Sequence, residues 1–355
     1  VTEGDNGKDP VKIVPQQDND AMEVLMVPHS ADGNRVDKFI SQNASDDISR
    51  ARVQALVRQG QVTINGQIPR GTSSKISAGD VVRYAMPPAE EAIPQPEEIA
   101  LDILFEDADL IVVNKPAGMV VHPAPGNWSG TLVNALLHHC KGSLSGIGGV
   151  KRPGIVHRLD KGTSGVMVVA KSYRAHLDLQ EQFADHGRTG PLERAYWALV
   201  WGAPPRMKGQ IDAHLGRHPT RRLQRSVVEA DAVDAKHAVT HYQVLGRFND
   251  PAQPDDVLVS LVECRLETGR THQIRVHMTH LGNPLLGDPE YGRQFANRGA
   301  RLSPCARQRF EDLNHQALHA RSLGFRHPTT GETVSFSADP PQDIVALIDA
   351  LRAGD

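Results

Sequence analysis

Apolar positions change their period along this chain. Between residues 34 and 84 they first recur at helical spacing. Val36, Phe39 and Ile40 fit one face of a short helix, and Val53, Leu56 and Val57 fit another. Ser49 is placed to cap the second helix and Gly60 to stop it. The period then drops to two in Gln61-Val62-Thr63-Ile64. Asn65-Gly66 reads as a hairpin turn, and Gly79-Asp80 leads into the strand Val81-Val82-Arg83-Tyr84. Two helices and a hairpin hold too small a core for an enzyme. Arg35, Lys38, Arg50 and Arg52 fall on the helix faces left to solvent.

From Leu101 onward strand patterns dominate. Residues 110–113, 119–123, 154–156, 166–170, 196–200, 239–245, 257–266 and 333–336 read as strands. Helices are fewer. Thr131 is placed to cap one carrying Leu132, Ala135, Leu136 and His139; Leu177, Leu179 and Phe183 mark a second. Thr271 is placed to cap a third, in which Ile274, His277, Met278 and Leu281 share a face until Gly282; residues 344–351 form a closing helix. Many strands joined by turns, with few helices, predict an α+β fold with a mixed, largely antiparallel sheet. Residues 203–235 and 294–313 break the pattern and read as loop insertions, the first dense in cations.

Charge divides the chain further. Residues 1–34 carry 2 basic and 7 acidic side chains, and residues 35–83 carry 8 and 4. Residues 84–110 carry 8 acidic side chains and none basic, whereas residues 111–355 carry 29 basic and 23 acidic. Two cationic folded regions therefore alternate with two acidic segments, which suits an electrostatic footprint for RNA and suits two ordinary domains with solvated linkers equally. The organisation expected is a flexible arm over 1–33, a small α/β domain over 34–85, an acidic Pro-rich linker over 86–100 and a large domain over 101–355. No apolar run is long enough to span a bilayer, and no secretory signal is visible after Val1. Cys140, Cys264 and Cys305 are far apart and odd in number, as expected of free thiols in the cytoplasm.

The candidate chemistry centres on His157-Arg158-Leu159-Asp160-Lys161-Gly162-Thr163-Ser164-Gly165. Arg158 and Lys161 flank one carboxylate, and nearby cations favour its ionised form. An ionised Asp on a tight loop can act as nucleophile, base or metal ligand, or simply pair with its neighbours. His272, His277 and His280 invite a metal reading, as do His138, His139 and Cys140. Residues 272 and 277 are five apart and share no helix face, and no carboxylate stands at ligand spacing, so no metal is expected. His277, on the apolar face, reads as a core histidine. No phosphate loop or dinucleotide fingerprint follows a strand, so no nucleotide cofactor is expected.

The nonapeptide does not stand alone. Together with Gly269-Arg270-Thr271-His272-Gln273-Ile274-Arg275-Val276-His277 it resembles the RluA/RluD-type RNA pseudouridine synthases, and the similarity runs from about Asn34 to the end. Gly162 stands where many members carry Asp. The resemblance implies conversion of uridine to pseudouridine. The N-glycosidic bond breaks, the base rotates and carbon rejoins the ribose, with no cofactor. It assigns Asp160 as the essential carboxylate, Tyr196 as the ring stacking on the base and assisting proton removal, and Arg275 as the salt-bridge partner of Asp160. Ile274 packs near the base, Arg158 contacts phosphate or fills the space left by the flipped nucleotide, and Arg270 binds substrate. The 34–85 domain resembles the small αL-type RNA-binding module, implying phosphate contacts from Arg35, Lys38, Arg50 and Arg52. Arg217, Arg221, Arg222 and Arg225 with His218 are further candidates for gripping RNA. The expected partner is large-subunit ribosomal RNA, acted on by a monomer. A transfer RNA synthase and a noncatalytic RNA-binding or assembly factor on the same fold are the alternatives.

Overall fold

The structure, a computed structural model, describes residues 22–44, 48, 50–85, 94–124, 126–141, 144, 153–221 and 224–354. Ser49, Arg222, residues 1–21 of the expected arm and residues 86–93 of the expected linker lie outside the described residues. The chain divides between Glu91 and Ala92 into two compact units.

The first unit contains β1 (Met22–Met26), α1 (Val36–Asn43), α2 (Arg50–Arg58), β2 (Val62–Ile64) and β3 (Val81–Ala85). Val36, Phe39, Ile40, Val53, Leu56 and Val57 are buried, as the helical period required. Gly60 ends α2 with φ +72°, and Asn65 and Gly66 both turn through positive φ. The expected arm is corrected at its end. Met22–Met26 pairs antiparallel with β3, giving the sheet order β1-β3-β2, and Leu25 and Val27 join the core. A five-residue edge strand lacks enough alternation to announce itself; its backbone bonds to β3 define it.

Arg35 and Arg50 keep 42% and 48% of their side chains exposed, as expected, and both also reach Asp37, which is fully buried. Arg35 Nε and Nη2 donate to its carboxylate at 3.0 and 2.9 Å, Arg50 Nε and Nη2 at 3.1 and 3.2 Å, and Gln54 Nε2 at 2.8 Å. Lys38 and Arg52 remain exposed. Burial alone would raise the Asp37 pKa, but these hydrogen bonds outweigh it and hold the carboxyl well below the usual carboxylate range. A depressed folded-state pKa gives stability that is present above about pH 4 and lost as pH falls below it. Asp37→Asn is therefore expected to destabilise the unit by on the order of 2–3 kcal/mol near pH 7. Hydrogen exchange in α1 and α2 should show that gap narrowing as the pH falls below about 4; a gap unchanged by acid contradicts the account.

The second unit is built on one sheet. Its strands are β4 (Ile103–Glu106), β5 (Leu110–Lys115), β6 (Ser164–Ala170), β7 (Glu193–Trp201), β8 (Lys208–Arg217), β9 (Arg225–Val228), β10 (Lys236–Asp250), β11 (Gln253–Leu266), β12 (Leu318–Arg326) and β13 (Thr333–Ser337). The order is β4-β5-β6-β12-β7-β11-β10-β8-β9, with β13 against β12. Among the described residues every pairing in it is antiparallel except β6 with β12. The fold is thus α+β with a largely antiparallel sheet. Helices α3 (Leu132–His139), α4 (Tyr173–Asp185), α5 (Gln273–His280), α6 (Pro304–Asp312) and α7 (Gln342–Ala353) cover it. Thr131 caps α3, its hydroxyl accepting from Asn134 N–H. Among the described residues no helix is long and apolar enough to cross a membrane.

Several expected elements change. Residues 203–235 are no loop insertion: they hold the hairpin of β8 and β9 that ends the sheet. Residues 294–313 contain most of a 3₁₀ segment, Arg293–Arg301, and all of α6. Residues 119–123 form no strand, and residues 154–156 contribute one isolated bridge, Ile155 to Val169. The N-cap of α5 is His272, one residue after the expected Thr271, and its side chain makes no capping bond. Part of the expected linker also belongs to the large unit. Glu97 N–H donates to Asn134 O, and the Asn134 side chain donates to Gln95 O.

Candidate active site

Strand order brings the nonapeptide beside Tyr196. The loop 157–163 runs into β6, β6 lies against β12, and β12 lies against β7, where Tyr196 faces Ala320. The β6–β12 crossing needs Gly165. Its φ is +115°, and a Cβ there would sit 2.3 Å from Ala320 O.

The loop itself is held from several sides. Thr163 N–H donates to Asp160 O at 3.0 Å, and Gln316 Nε2 donates to Thr163 Oγ1 at 3.0 Å. His157 accepts from Val168 N–H through Nε2 and stacks on Phe183, with centroids 4.4 Å apart. Burial pushes the His157 pKa down to about 3, so the ring is neutral at working pH. Lys115, fully buried at the end of β5, donates to Pro116 O, Met119 O and Lys161 O at 2.8, 2.9 and 3.4 Å. Burial pushes its pKa down to about 7, against the pull of Asp160. A Cβ at Gly162 would lie 2.3 Å from Gln316 Oε1, the end of a flexible side chain.

Lys161, expected to act on Asp160, donates instead to Asn127 Oδ1 at 3.2 Å. The cation bonded to Asp160 is Arg275, whose Nη1 donates to Asp160 Oδ2 at 3.2 Å. Arg275 sits in the first turn of α5 and is buried. Its other edge is locked by Asp288, Nε to Oδ2 at 2.7 Å and Nη2 to Oδ1 at 2.9 Å. Asp288 is anchored in turn by Glu290 N–H and Tyr291 N–H, both donating to Oδ1. Burial would lower the Arg275 pKa, but Asp288 above all, with Asp160 and Glu290, raises it further, so the cation is permanent. Tyr291 lies under the guanidinium, with Cζ 4.9 Å from the ring centroid.

His272 completes this cluster. It adopts the left-handed region, φ +58°, a conformation that a bulky side chain rarely takes. Arg225 N–H donates to Tyr291 Oη at 2.9 Å, and Tyr291 Oη lies 2.8 Å from His272 Nδ1. Glu290 Oε2 lies 3.5 Å from the same Nδ1, and Nε2 faces Asp160 Oδ2 at 4.0 Å. Burial lowers the His272 pKa, with Asp160 opposing. His277 lies apart, buried, with Nδ1 bonded to Thr240 Oγ1, and burial pushes its pKa down to about 4. Among the described residues no group of three His, Cys, Asp or Glu side chains is placed to hold a metal ion.

A cavity of about 590 Å³ opens over the cluster, lined by Asp160, Tyr196, Arg275, Ile274, Arg158 and Arg270 among others. All six candidate catalytic and substrate residues therefore meet in one space, large enough for a nucleoside. Tyr196 and Ile274 are buried in its wall, and Arg158 is exposed at it. Burial raises the Tyr196 pKa; Arg194 opposes this and Asp160 adds to it, so the hydroxyl keeps its proton. Arg270 is half-buried, with Nε donating to His237 O at 3.1 Å. Arg217 and Arg221 lie elsewhere, at the end of β8 and in the turn that follows. Sequence reasoning missed Asp288, Tyr291 and Lys115, and took His272 only as a metal candidate. The signal available was Gly287-Asp288-Pro289-Glu290-Tyr291-Gly292, an acid and a ring between two glycines.

Comparison with known proteins identifies the family. The family described as RNA pseudouridylate synthase matches residues 109–280, and the S4 domain matches residues 35–82. A ribosomal large subunit pseudouridine synthase D from Zymomonas mobilis is 48% identical over 305 residues, 86% of this chain and 90% of the relative. One from Neisseria meningitidis is 44% identical over 333 residues, 92% of this chain and 81% of the relative. The solved structure of human RNA pseudouridylate synthase domain containing 4 superposes with a TM-score of 0.52 at 28% identity, covering 71% of this chain and 93% of that one. The chain belongs to the RNA pseudouridine synthases, intramolecular isomerases of uridine in RNA, and carries an N-terminal S4 RNA-binding domain.

Proposed function

We propose that this synthase modifies uridines of large-subunit ribosomal RNA in the cytoplasm, as a monomer and without a cofactor. The names of the Zymomonas and Neisseria relatives support the substrate. The observation that carries the chemistry is the Asp160 carboxylate, fixed by Arg275 at 3.2 Å inside a cavity that Tyr196 also lines. In this reading Asp160 acts on the nucleotide at the ribose–base junction. Tyr196 stacks on the flipped uracil, Ile274 packs against it, and Arg158 and Arg270 hold the surrounding RNA. Arg275 holds the carboxylate in orientation. Extracting the base costs a few kcal/mol, least in loops and bulges, so these are the expected targets. Mapping pseudouridine in total RNA from cells lacking the protein tests the substrate: sites missing from large-subunit RNA support it, and sites missing from transfer RNA alone overturn it.

The S4 domain supplies the electrostatic part of this reading through Arg35, Lys38, Arg50 and Arg52, with Arg217 and Arg221 as further contacts. Lys38 and Arg52 are the cleaner probes, because Arg35 and Arg50 also hold Asp37. Lys38→Ala with Arg52→Ala is expected to weaken RNA binding and lower the slope of log affinity against log salt by about 1–2. An unchanged slope would remove these two residues from the interface.

A further inference from the structure

Arg194 is a buried cation whose charge the fold leaves unmatched. It lies on β7 two residues before Tyr196, on the same strand face, and lines the same cavity. The residue is 7% exposed. Its Nη2 donates to Leu266 O at 3.2 Å, and its Cζ lies 5.8 Å from the centroid of Phe183. Its Nε has no hydrogen-bond partner, and no carboxylate among the described residues pairs with it. The titratable groups interacting directly with Arg194 are His157, His186 and Tyr196, none of them an anion near neutral pH; Asp185 acts on His186 and Asp160 on Tyr196, and neither carboxylate pairs with Arg194. The loop backbone passes close over the guanidinium, for a Cβ on Gly269 would sit 3.0 Å from Nη1. Arg275, by contrast, is matched by Asp288 and Asp160.

A guanidinium keeps its charge under such burial, and an uncompensated buried charge opposes folding. Such a group is matched in some state other than the free protein. The cavity supplies the place, and the reaction supplies the anion. We propose that Arg194 is a further catalytic residue, touching the edge of the flipped uracil and stabilising the negative charge the ring carries once the glycosidic bond has broken. This rests on reading the cavity as the uridine site. When N1–C1′ breaks, both electrons go to the ring and spread over N1, O2 and O4. The ring turns and C5 bonds to C1′ with an electron pair of the ring; the C5 hydrogen leaves as a proton and N1 takes one up. Nothing is oxidised or reduced. A fixed cation in a dry wall, one side chain along from the stacking ring, favours the charged intermediate over neutral uridine. A phosphate is the other anion available, but the exposed Arg158 suits it better than a guanidinium sunk beside Tyr196.

The test compares Arg194→Met and Arg194→Lys with the wild-type chain on one RNA substrate, reading kcat, RNA affinity and melting temperature. Wild-type turnover is the control; if the wild type forms no pseudouridine, the parent reading fails before this one is reached. Arg194→Met is expected to lose about 10²–10³-fold in kcat. RNA affinity should stay within threefold and the melting temperature at or above that of wild type, because an unmatched buried charge has been removed. Arg194→Lys should recover part of kcat. Three results overturn the proposal: kcat of Arg194→Met within threefold of wild type; lost RNA affinity with a flatter salt slope and intact kcat, which makes Arg194 a phosphate contact; or melting temperature and kcat falling together with no recovery by Lys, which makes it structural.

Discussion

Asp160→Asn is expected to abolish pseudouridine formation, a loss of at least about 10⁴-fold in kcat, while RNA affinity stays within about twofold. The substitution keeps the shape of the side chain and leaves Arg275 an amide oxygen to bond at the same place. It removes the charge that the proposed reaction uses. In the proposed reading most RNA affinity comes from phosphate contacts of the S4 domain and the rim of the cavity, so binding has little reason to change. Gel-shift affinity measured beside turnover separates the two. Activity retained by the Asn variant would refute the assignment of Asp160. Affinity lost together with activity would mean that the carboxylate shapes the binding surface instead.

The second large effect is expected at Asp288, a residue that sequence reasoning missed. Its carboxylate takes two guanidinium bonds from Arg275 and two backbone N–H bonds, and its side chain is fully buried. Asp288→Ala leaves Arg275 with Asp160 at 3.2 Å and Glu290 at 3.7 Å. Losing one partner of a buried pair costs on the order of 3–5 kcal/mol, and stability should fall by that amount. The fork of Arg275 then turns towards the remaining carboxylates and carries Asp160 with it. A displacement of about 1 Å at such a site can cost 10²-fold in kcat. Asp288→Asn separates the effects, since its amide oxygen can still accept from the backbone N–H groups of Glu290 and Tyr291. The Asn variant should fold better than the Ala variant yet remain impaired. Wild-type turnover in Asp288→Asn would show that Arg275 needs no second carboxylate.

Features fixed within a few residues were the ones legible in the sequence. The helical spacing of Val36, Phe39 and Ile40, the Thr131 cap and the Asn65-Gly66 turn are local, and each appears where its pattern places it. The nonapeptide and the Gly269–His277 run are legible through their family resemblance, which is why Asp160, Tyr196 and Arg275 come together there. Partners at a distance were not legible. Nothing near Asp37 announces that Arg50, thirteen residues on, will bond to it. Leu318–Arg326 lies at the centre of the sheet with both faces largely buried, so it shows no period of two and escapes a search for alternation. β8 hides inside a cationic stretch because its exposed residues, Lys208, Gln210, Asp212 and Arg217, are polar or charged, and the four half-buried residues of β9 show no alternation. The left-handed backbone at His272 is set by tertiary contacts, so the sequence pattern puts the cap one residue early. An unmatched Arg194 is invisible in principle from sequence, since it consists of a partner that is missing.

The central claim is that Asp160, held by Arg275, rejoins uracil to ribose through C5. Release of tritium from large-subunit ribosomal RNA labelled at uracil C5 reads that bond directly, because the C5 hydrogen leaves only when C5 has joined C1′. The account predicts release by the wild-type chain in EDTA and none by Asp160→Asn. Equal release by the two proteins, or none by the wild type on any large-subunit RNA, would contradict it.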